Sequence, residues 1–372
     1  MSPIALGFVG DVCLAGAMRP ALARGGPAHC FESVKSLFED RDLVCGNLEC
    51  CIVPEDVDRL PKNVMQVPEA LARGIENAGV GIWGLSNNHI MDAGAKGLAS
   101  TTRFLDERGL RHFGAGASRE DAERTLAVEI RGRKIGFIGA CDVRRYFASD
   151  SAGGIAPMLP NRLLQRVAEA RKEVDLVVCT LHADLEFSRY PAPGRVRLSR
   201  ALIERGADLV VQHHPHVCQG IERYGNGLIA YSLGNFVFPV VGDPYQERFP
   251  ATKWSVVLAI DVEWRGSERS LNWRLSPVTL GADGRPSPSN IADRAAQLAA
   301  IEEVSERLAD RSLLRREWWT RCAQEARSTY YVLHHRRRRA GVRSALAEAV
   351  GLVRDPYERR WMYGLLTGGA AG

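Results

Sequence analysis

The sequence predicts an α/β fold, on three observations. From Ile4 to about Val262, short apolar runs alternate with longer stretches whose apolar residues recur at helical spacing. Six of the short runs end in residues that can bind a metal or exchange hydrogen bonds. After Val240 the pattern changes to two long strand-like runs, Lys253 to Trp264 and Ser270 to Leu280, joined by Arg265-Gly266-Ser267 as an antiparallel hairpin that closes a sheet.

In chain order, the first strand, Ile4 to Val9, ends at Gly10-Asp11, and Asp42 to Cys45 ends at Gly46-Asn47-Leu48-Glu49. Pro68-Glu69 opens a helix to about Asn77, Gly81 to Leu85 ends at Ser86-Asn87-Asn88-His89, and Gly94 to Glu107 forms the next helix. Helices over Pro160 to Glu173 and Gly194 to Glu204 then alternate with strands Asp175 to Leu181, ending at His182, and Asp208 to Val211, ending at Gln212-His213-His214-Pro215-His216. Leu228 to Ser232 leads into Leu233-Gly234-Asn235-Phe236. Ligands of open α/β sheets bind at the carboxyl edge of the strands, so six polar strand ends predict one shared site. Gly281 to Ser289 is turn-rich and reads as a linker; beyond Asn290 the pattern is helical, and Gly368 to Gly372 should be disordered. The resulting division is a domain over 1–284 and a basic helical extension over 285–372.

Composition narrows the function classes. No apolar run approaches the roughly 20 residues of a membrane span. Met1 to Gly7 leads straight into a strand with no basic leader, so the expectation is a cytoplasmic protein without a membrane span. Nine cysteines without secretory context read as reduced thiols. The net charge of +5 is unevenly placed: ten arginines against Glu317 and Glu325 lie between Arg311 and Arg343, leaving the remainder slightly acidic. Charge therefore gives no general case for nucleic acid, and Arg336 to Arg339 read as a solvated helical face or a polyanion contact. Trp318-Trp319 and Tyr330-Tyr331 read as packing the extension onto the core, and a homo-oligomer contact through these helices stays open.

Three of the nine histidines fall in Gln212 to His216, directly after a buried-looking run. Neutral imidazole is a common metal ligand, and Pro215 should hold its predecessor extended, which suits rings converging at a strand end. Singly, each residue has a plainer reading. A lone histidine is often a hydrogen-bonded structural residue, Asn87-Asn88 is often a turn, and Asp11 can cap a helix. Taken together at one sheet edge, they point to a metal site.

The motifs GDVCL at 10–14, GNLE at 46–49, SNNHIMDAG at 86–94, HADLE at 182–186, HHPHVCQGIE at 213–222 and YSLGNFVF at 231–238 resemble the calcineurin-like metallophosphoesterase superfamily, specifically its CapA/PgsA branch, named for poly-γ-glutamate capsule synthesis. The resemblance covers roughly residues 4–262. It implies a four-layer αββα sandwich with a two-metal centre binding Mn, Fe, Zn or Co, since mixed nitrogen and oxygen ligands suit all of these. On that resemblance Asp11 and His216 hold one ion and Asn88, His182 and His214 the other, with Asn47 or Glu49 of GNLE between them. His89 is then the general acid, oriented by Asp92, and Glu186, Tyr231 and Asn235 contact ligands or substrate.

This sequence departs from the pattern at several places. Cys13 stands where many members have a ligand histidine, and reads either as a thiolate ligand or as a buried inert thiol. Asn47 replaces the usual bridging aspartate, so one ion should be held weakly. Asp184 replaces a glycine and would narrow the cleft or touch substrate; His213 also replaces a glycine and reads as a cleft-wall residue. The implied function is a metal-dependent hydrolase or transferase in which a metal-bound hydroxide or substrate nucleophile attacks a phosphoester or a γ-glutamyl-type amide of a small molecule or peptide. Two other classes remain: a non-catalytic accessory subunit of a polyglutamate or peptide ligase, and a nucleic-acid phosphodiesterase guided by the basic tail, whose affinity would fall steeply with salt.

Overall fold

The computed structural model describes residues 3–54, 64–143, 146–243, 245–266 and 268–327. Within them two sheets lie face to face, with helices against both outer faces. The first sheet runs in the order Pro286–Pro288, Glu268–Leu280, Trp254–Arg265, Ile4–Val12, Leu43–Leu48, Ile82–Gly84, Arg111–Phe113. From Ile4–Val12 onward its strands are parallel, and the hairpin side is antiparallel. The second sheet runs Ile221–Tyr224, Gly227–Ala230, Leu209–His213, Leu176–His182, Arg133–Cys141, Leu126–Ile130, with parallel pairing at its centre.

The period-2 alternation of buried strands divides the apolar residues between separate cores. Leu176 and Val178 face the first sheet, where they join Phe137, Leu6 and Phe8. Phe113 and Phe137 meet across that layer with ring centroids 5.7 Å apart. Val177 and Cys179 turn outward onto Val167 and Leu202 of helices Pro160–Glu173 and Pro193–Arg205. On the other side Val9, Val44 and Trp83 pack against Leu22, Leu98 and Phe104 of helices Arg19–Phe31 and Gly94–Asp106. The four αββα layers expected from the resemblance are present.

Several local expectations change. The helix expected over Pro68 to Asn77 is two short pieces, Glu69–Ala72 and a 3₁₀ turn Ile75–Asn77, separated by Gly74 at φ 88°. Helix Arg19–Phe31, interrupted at Gly25 and Gly26, has no clean apolar stripe to announce it. The linker reading of Gly281 to Ser289 is corrected: Gly281 N–H donates to Arg285 O at 2.9 Å, and Pro286–Pro288 returns as an edge strand against Val278 to Leu280.

Helix Ile291–Glu306 then packs back, with Ser305 Oγ accepting from Ile221 N at 2.8 Å. Residues 311–327 are helical. Leu313 and Leu314 join the second sheet's outer core and Trp318 is buried, whereas Trp319 is 47% exposed. Tyr330, Tyr331, Arg336 to Arg339 and Gly368 to Gly372 lie outside the described residues. Among the described residues no helix is long and apolar enough to cross a membrane.

Candidate metal centre

The end of the first strand is placed by a backbone contact that only glycine permits. A Cβ on Gly10 would sit 1.9 Å from Gly234 O. Asp11 N donates to that same oxygen at 2.9 Å. Asp11 is thereby in register with Asn47 on one side and Asn235 on the other. The parallel partners Leu176–His182 and Leu209–His213 end level with each other, His182 beside His213.

These ends converge. Ligand atoms of Glu49, His214 and His216 lie within 4.8 Å of one another, as do those of Asp11, Glu49 and His182, and all five residues are buried. Glu49 belongs to both groups, and its carboxylate is the feature they share. These groups set His214 beside His216 and Asp11 beside His182, while His216 Nδ1 also lies 3.5 Å from Asp11 Oδ2, as the expected division has it. Ring centroids of His182 and His214 are still only 4.7 Å apart. Asn88 Oδ1 lies 2.8 Å from His182 Nε2, placing it at the edge of the second group.

Among the described residues neither carboxylate oxygen of Glu49 has a hydrogen-bond partner, although both are buried. The nearest cationic candidates are His182 Nε2 at 3.5 Å and His216 Nε2 at 3.9 Å from Oε1. A buried carboxylate without donors is costly, and a cation shared with Asp11 and the histidines removes that cost. The donor set of carboxylate oxygen and imidazole nitrogen therefore fits a divalent transition metal.

The electrostatics agree. Burial, then the charges of Asp11 and Glu186, push the Glu49 carboxyl well above the usual glutamate range. Burial alone would also raise Asp11, but His213, His216 and the amide of Asn47 hold its carboxyl below the usual range. Burial, reinforced by His214, His213 and His216, keeps His182 well below the ordinary imidazole value, so its ring is neutral with a lone pair to offer.

Backbone strain concentrates here as well. Asp184, Phe187, His214 and His216 have φ of 98°, 60°, 96° and 60°. Side chains rarely adopt that region, and such outliers gather at functional sites. The extended geometry expected for His214 ahead of Pro215 is therefore corrected to a left-handed one.

The remaining predicted residues separate into neighbours and strangers. His89 Nδ1 lies 2.8 Å from Asp92 Oδ2, and that oxygen also accepts from Met65 N at 2.6 Å. Asn47 Nδ2 donates to Asp11 Oδ1 at 2.9 Å and faces His182 Nδ1 at 3.3 Å. His213 Nδ1 is 3.0 Å from Asp11 Oδ1 but off the line of a hydrogen bond. Asn235 Oδ1 lies 2.9 Å from His216 Nδ1, and Glu186 Oε1 is 4.0 Å from His216 Nε2.

Three residues are placed elsewhere. Tyr231 lies in the outer core, its hydroxyl donating to Glu222 Oε2 at 2.8 Å, because the alternation that turns Ala230 inward turns Tyr231 outward. Asp184 staples its own loop, accepting from Ala192 N at 2.7 Å and Leu185 N at 2.9 Å. Cys13 is packed in the first sheet's outer core, outside both groups of clustered ligand atoms, and burial together with Cys50 pushes its thiol well up.

Sequence reasoning missed Asn87. Its amide donates to Leu48 O at 2.8 Å and Asn47 Oδ1 at 3.2 Å, while its oxygen accepts from His89 N and Ile90 N at 3.1 and 2.9 Å. One turn asparagine thus ties the GNLE and SNNH strand ends together, and the doubled Asn was its only signal. Also missed were Phe187 and Phe249, stacked with centroids 4.3 Å apart, with Tyr245 edge-on to Phe187 at 5.0 Å.

Residues 5–240 match the family described as bacterial capsule synthesis protein PGA_cap. The capsule biosynthesis protein CapA of Bacillus anthracis is 32% identical over 241 residues, which cover 62% of this chain and 59% of that protein. The PGA biosynthesis protein CapA of Bacillus subtilis (strain 168) is 30% identical over 303 residues, covering 80% and 77%. Among solved structures, a 5'-nucleotidase precursor from Thermus thermophilus aligns at 15% identity and TM-score 0.44 over 81% of this chain and 59% of that one, a likeness too distant to bear on function.

Proposed function

The chain belongs to the bacterial capsule synthesis protein PGA_cap family, and from that premise we propose that it is a metal-dependent hydrolase or transferase acting on a phosphoester or γ-glutamyl-type amide in polyglutamate or peptide biosynthesis. Asp11, Glu49, His182, His214 and His216 would hold one or two ions of Mn, Fe, Zn or Co, with Asn88 at their edge. Such ions supply Lewis acidity at the electrophile and a nucleophile at neutral pH. His213 and Asn47 keep Asp11 ionised and in place, and Asn235 fixes the ring of His216. Asp92 holds His89 through Nδ1, leaving Nε2 to pass a proton to the leaving group.

The observation that carries this reading is Glu49, a buried carboxylate whose two oxygens find no hydrogen-bond partner among the described residues, at the meeting point of Asp11 and three histidines. Elemental analysis of protein purified without chelator tests it, paired with Asp11→Ala and His214→Ala. Transition metal near one or two equivalents, lost in both variants, is expected. A trace amount unchanged by either substitution overturns the reading. A panel of phosphoesters and γ-glutamyl amides then identifies the bond.

A second reading, a non-catalytic accessory subunit of a polyglutamate or peptide ligase, is favoured by Asn47, whose neutral amide stands beside Asp11 where the resemblance leads one to expect a bridging carboxylate. Polymer formation that survives His89→Asn would support it.

A further inference from the structure

The family match ends at residue 240, yet a side chain far beyond it reaches the centre. Arg321, in the helical stretch 311–327, is only 6% exposed. Its Nε donates to Glu186 O at 2.8 Å, and its guanidinium also pairs with Glu325. Its carbon Cζ lies 5.9 Å from the Phe187 ring centroid and 5.6 Å from that of Phe249, within cation–π range of the stacked pair.

Glu186 O and Phe187 N are the two ends of one peptide unit. The oxygen accepts from Arg321, and the N–H donates to Pro215 O at 2.8 Å. Pro215 joins His214 and His216, both held at positive φ. A single peptide plane therefore links the guanidinium to the carbonyl between two candidate ligands, and hydrogen bonds in such a chain polarise and strengthen one another. The aromatic contact repeats the link, since the Phe187 ring lies 6.0 Å from that of His216.

We infer that Arg321 is a positioning residue for the metal centre: through the Glu186–Phe187 peptide it holds His214 and His216 in their left-handed conformation, making the helix over 311–327 a working part of the site. This rests on the metal-centre reading above. Arginine suits the task because one planar fork serves a carbonyl, a carboxylate and two ring faces at once, which an ammonium does not.

The test is cobalt or zinc titration of the full chain, wild type beside Arg321→Ala, Arg321→Lys and Leu314→Ala, with thermal melts for each. Leu314 packs the same helix onto the second sheet's outer core and takes no part in the Arg321–Glu186 hydrogen bond, so it reports what loosening the helix does by itself. Arg321→Ala should weaken metal binding by about 10–100-fold, the range for loss of an outer partner of a ligand. Arg321→Lys should fall between it and wild type, and Leu314→Ala should lower the melting temperature with metal affinity unchanged. Should Arg321→Ala fail to fold, Arg321→Lys against Leu314→Ala makes the same comparison. Equal affinity in wild type and the Arg321 variants, or an equal loss in Leu314→Ala, overturns the role of Arg321 alone. Wild-type protein that binds no metal overturns the metal centre itself, and this role with it.

Discussion

Glu49 Oε1 stands 3.5 Å from His182 Nε2, with both side chains buried and no hydrogen bond to the carboxylate from the described residues. Replacing Glu49 with glutamine should lower metal affinity by more than the roughly 10–100-fold typical of an outer-shell partner. In metal-free protein the same change should act oppositely, stabilising by about 1–3 kcal/mol above neutral pH, since an uncompensated buried charge is removed. Isothermal titration and urea unfolding after chelation check the two halves.

The pH dependence follows from the same carboxyl. Its folded value is raised, by burial first and then by Asp11 and Glu186, so folding favours the protonated form. Stability of the chelated wild type should be full below the ordinary glutamate range and fall as pH rises toward the raised value. Glu49→Gln should flatten that slope, and bound metal should reverse it because the metal takes the deprotonated form. Melting temperatures across pH, with and without metal, decide it.

His89→Asn should reduce turnover by about 10²–10⁴-fold, the usual contribution of a positioned general acid, while metal content stays unchanged. Asp92→Asn should lose a smaller part, because it disturbs the ring's orientation and the Met65 N–H contact rather than the proton itself. Steady-state rates on the ester or amide identified by the panel, beside elemental analysis, separate this from a loss of ligand.

Gly10→Ala should destabilise by about 3 kcal/mol or more, since the added methyl meets the backbone of Gly234 and not a side chain that can rotate away. Any protein that still folds should have Asp11 displaced and metal affinity reduced. Urea midpoints and metal content measure both.

Tyr231→Phe should cost about 1 kcal/mol, the net worth of one hydrogen bond, and leave turnover untouched. A large fall in turnover with metal retained would place the hydroxyl in the site after all. Rates and unfolding midpoints of the single variant suffice.

Much of the candidate site was legible because strand ends are local signals. Asp11, Glu49, His182, His214 and His216 each follow a short apolar run, and a parallel sheet gathers such ends at one edge. What was not legible depends on direction or distance. Tyr231 was misplaced because the parity of a strand's final residue decides which face it takes, and Gly227–Ala230 ends one residue before it. The loop contact of Asp184 was hidden, because nothing nearby in sequence reveals that the Ala192 N–H needs an acceptor. Asn87 looked like any turn asparagine, its partners lying 39 and 40 residues earlier. Arg321 sits 135 residues from the carbonyl it holds, in a segment whose arginines read alike as a string.

The placement of strand Ile4–Val12 also constrains the order in which the molecule can assemble. It lies between Leu43–Leu48, made soon after it, and Trp254–Arg265, made much later. During synthesis one edge of this apolar strand has no partner until more than half the chain has emerged. Long-range pairing of this kind slows folding, and an open strand edge invites association with other chains. Since Asp11 pairs in register with Asn235 at the same strand's end, the polar cluster around Asp11 is complete only once both ends of the domain have met.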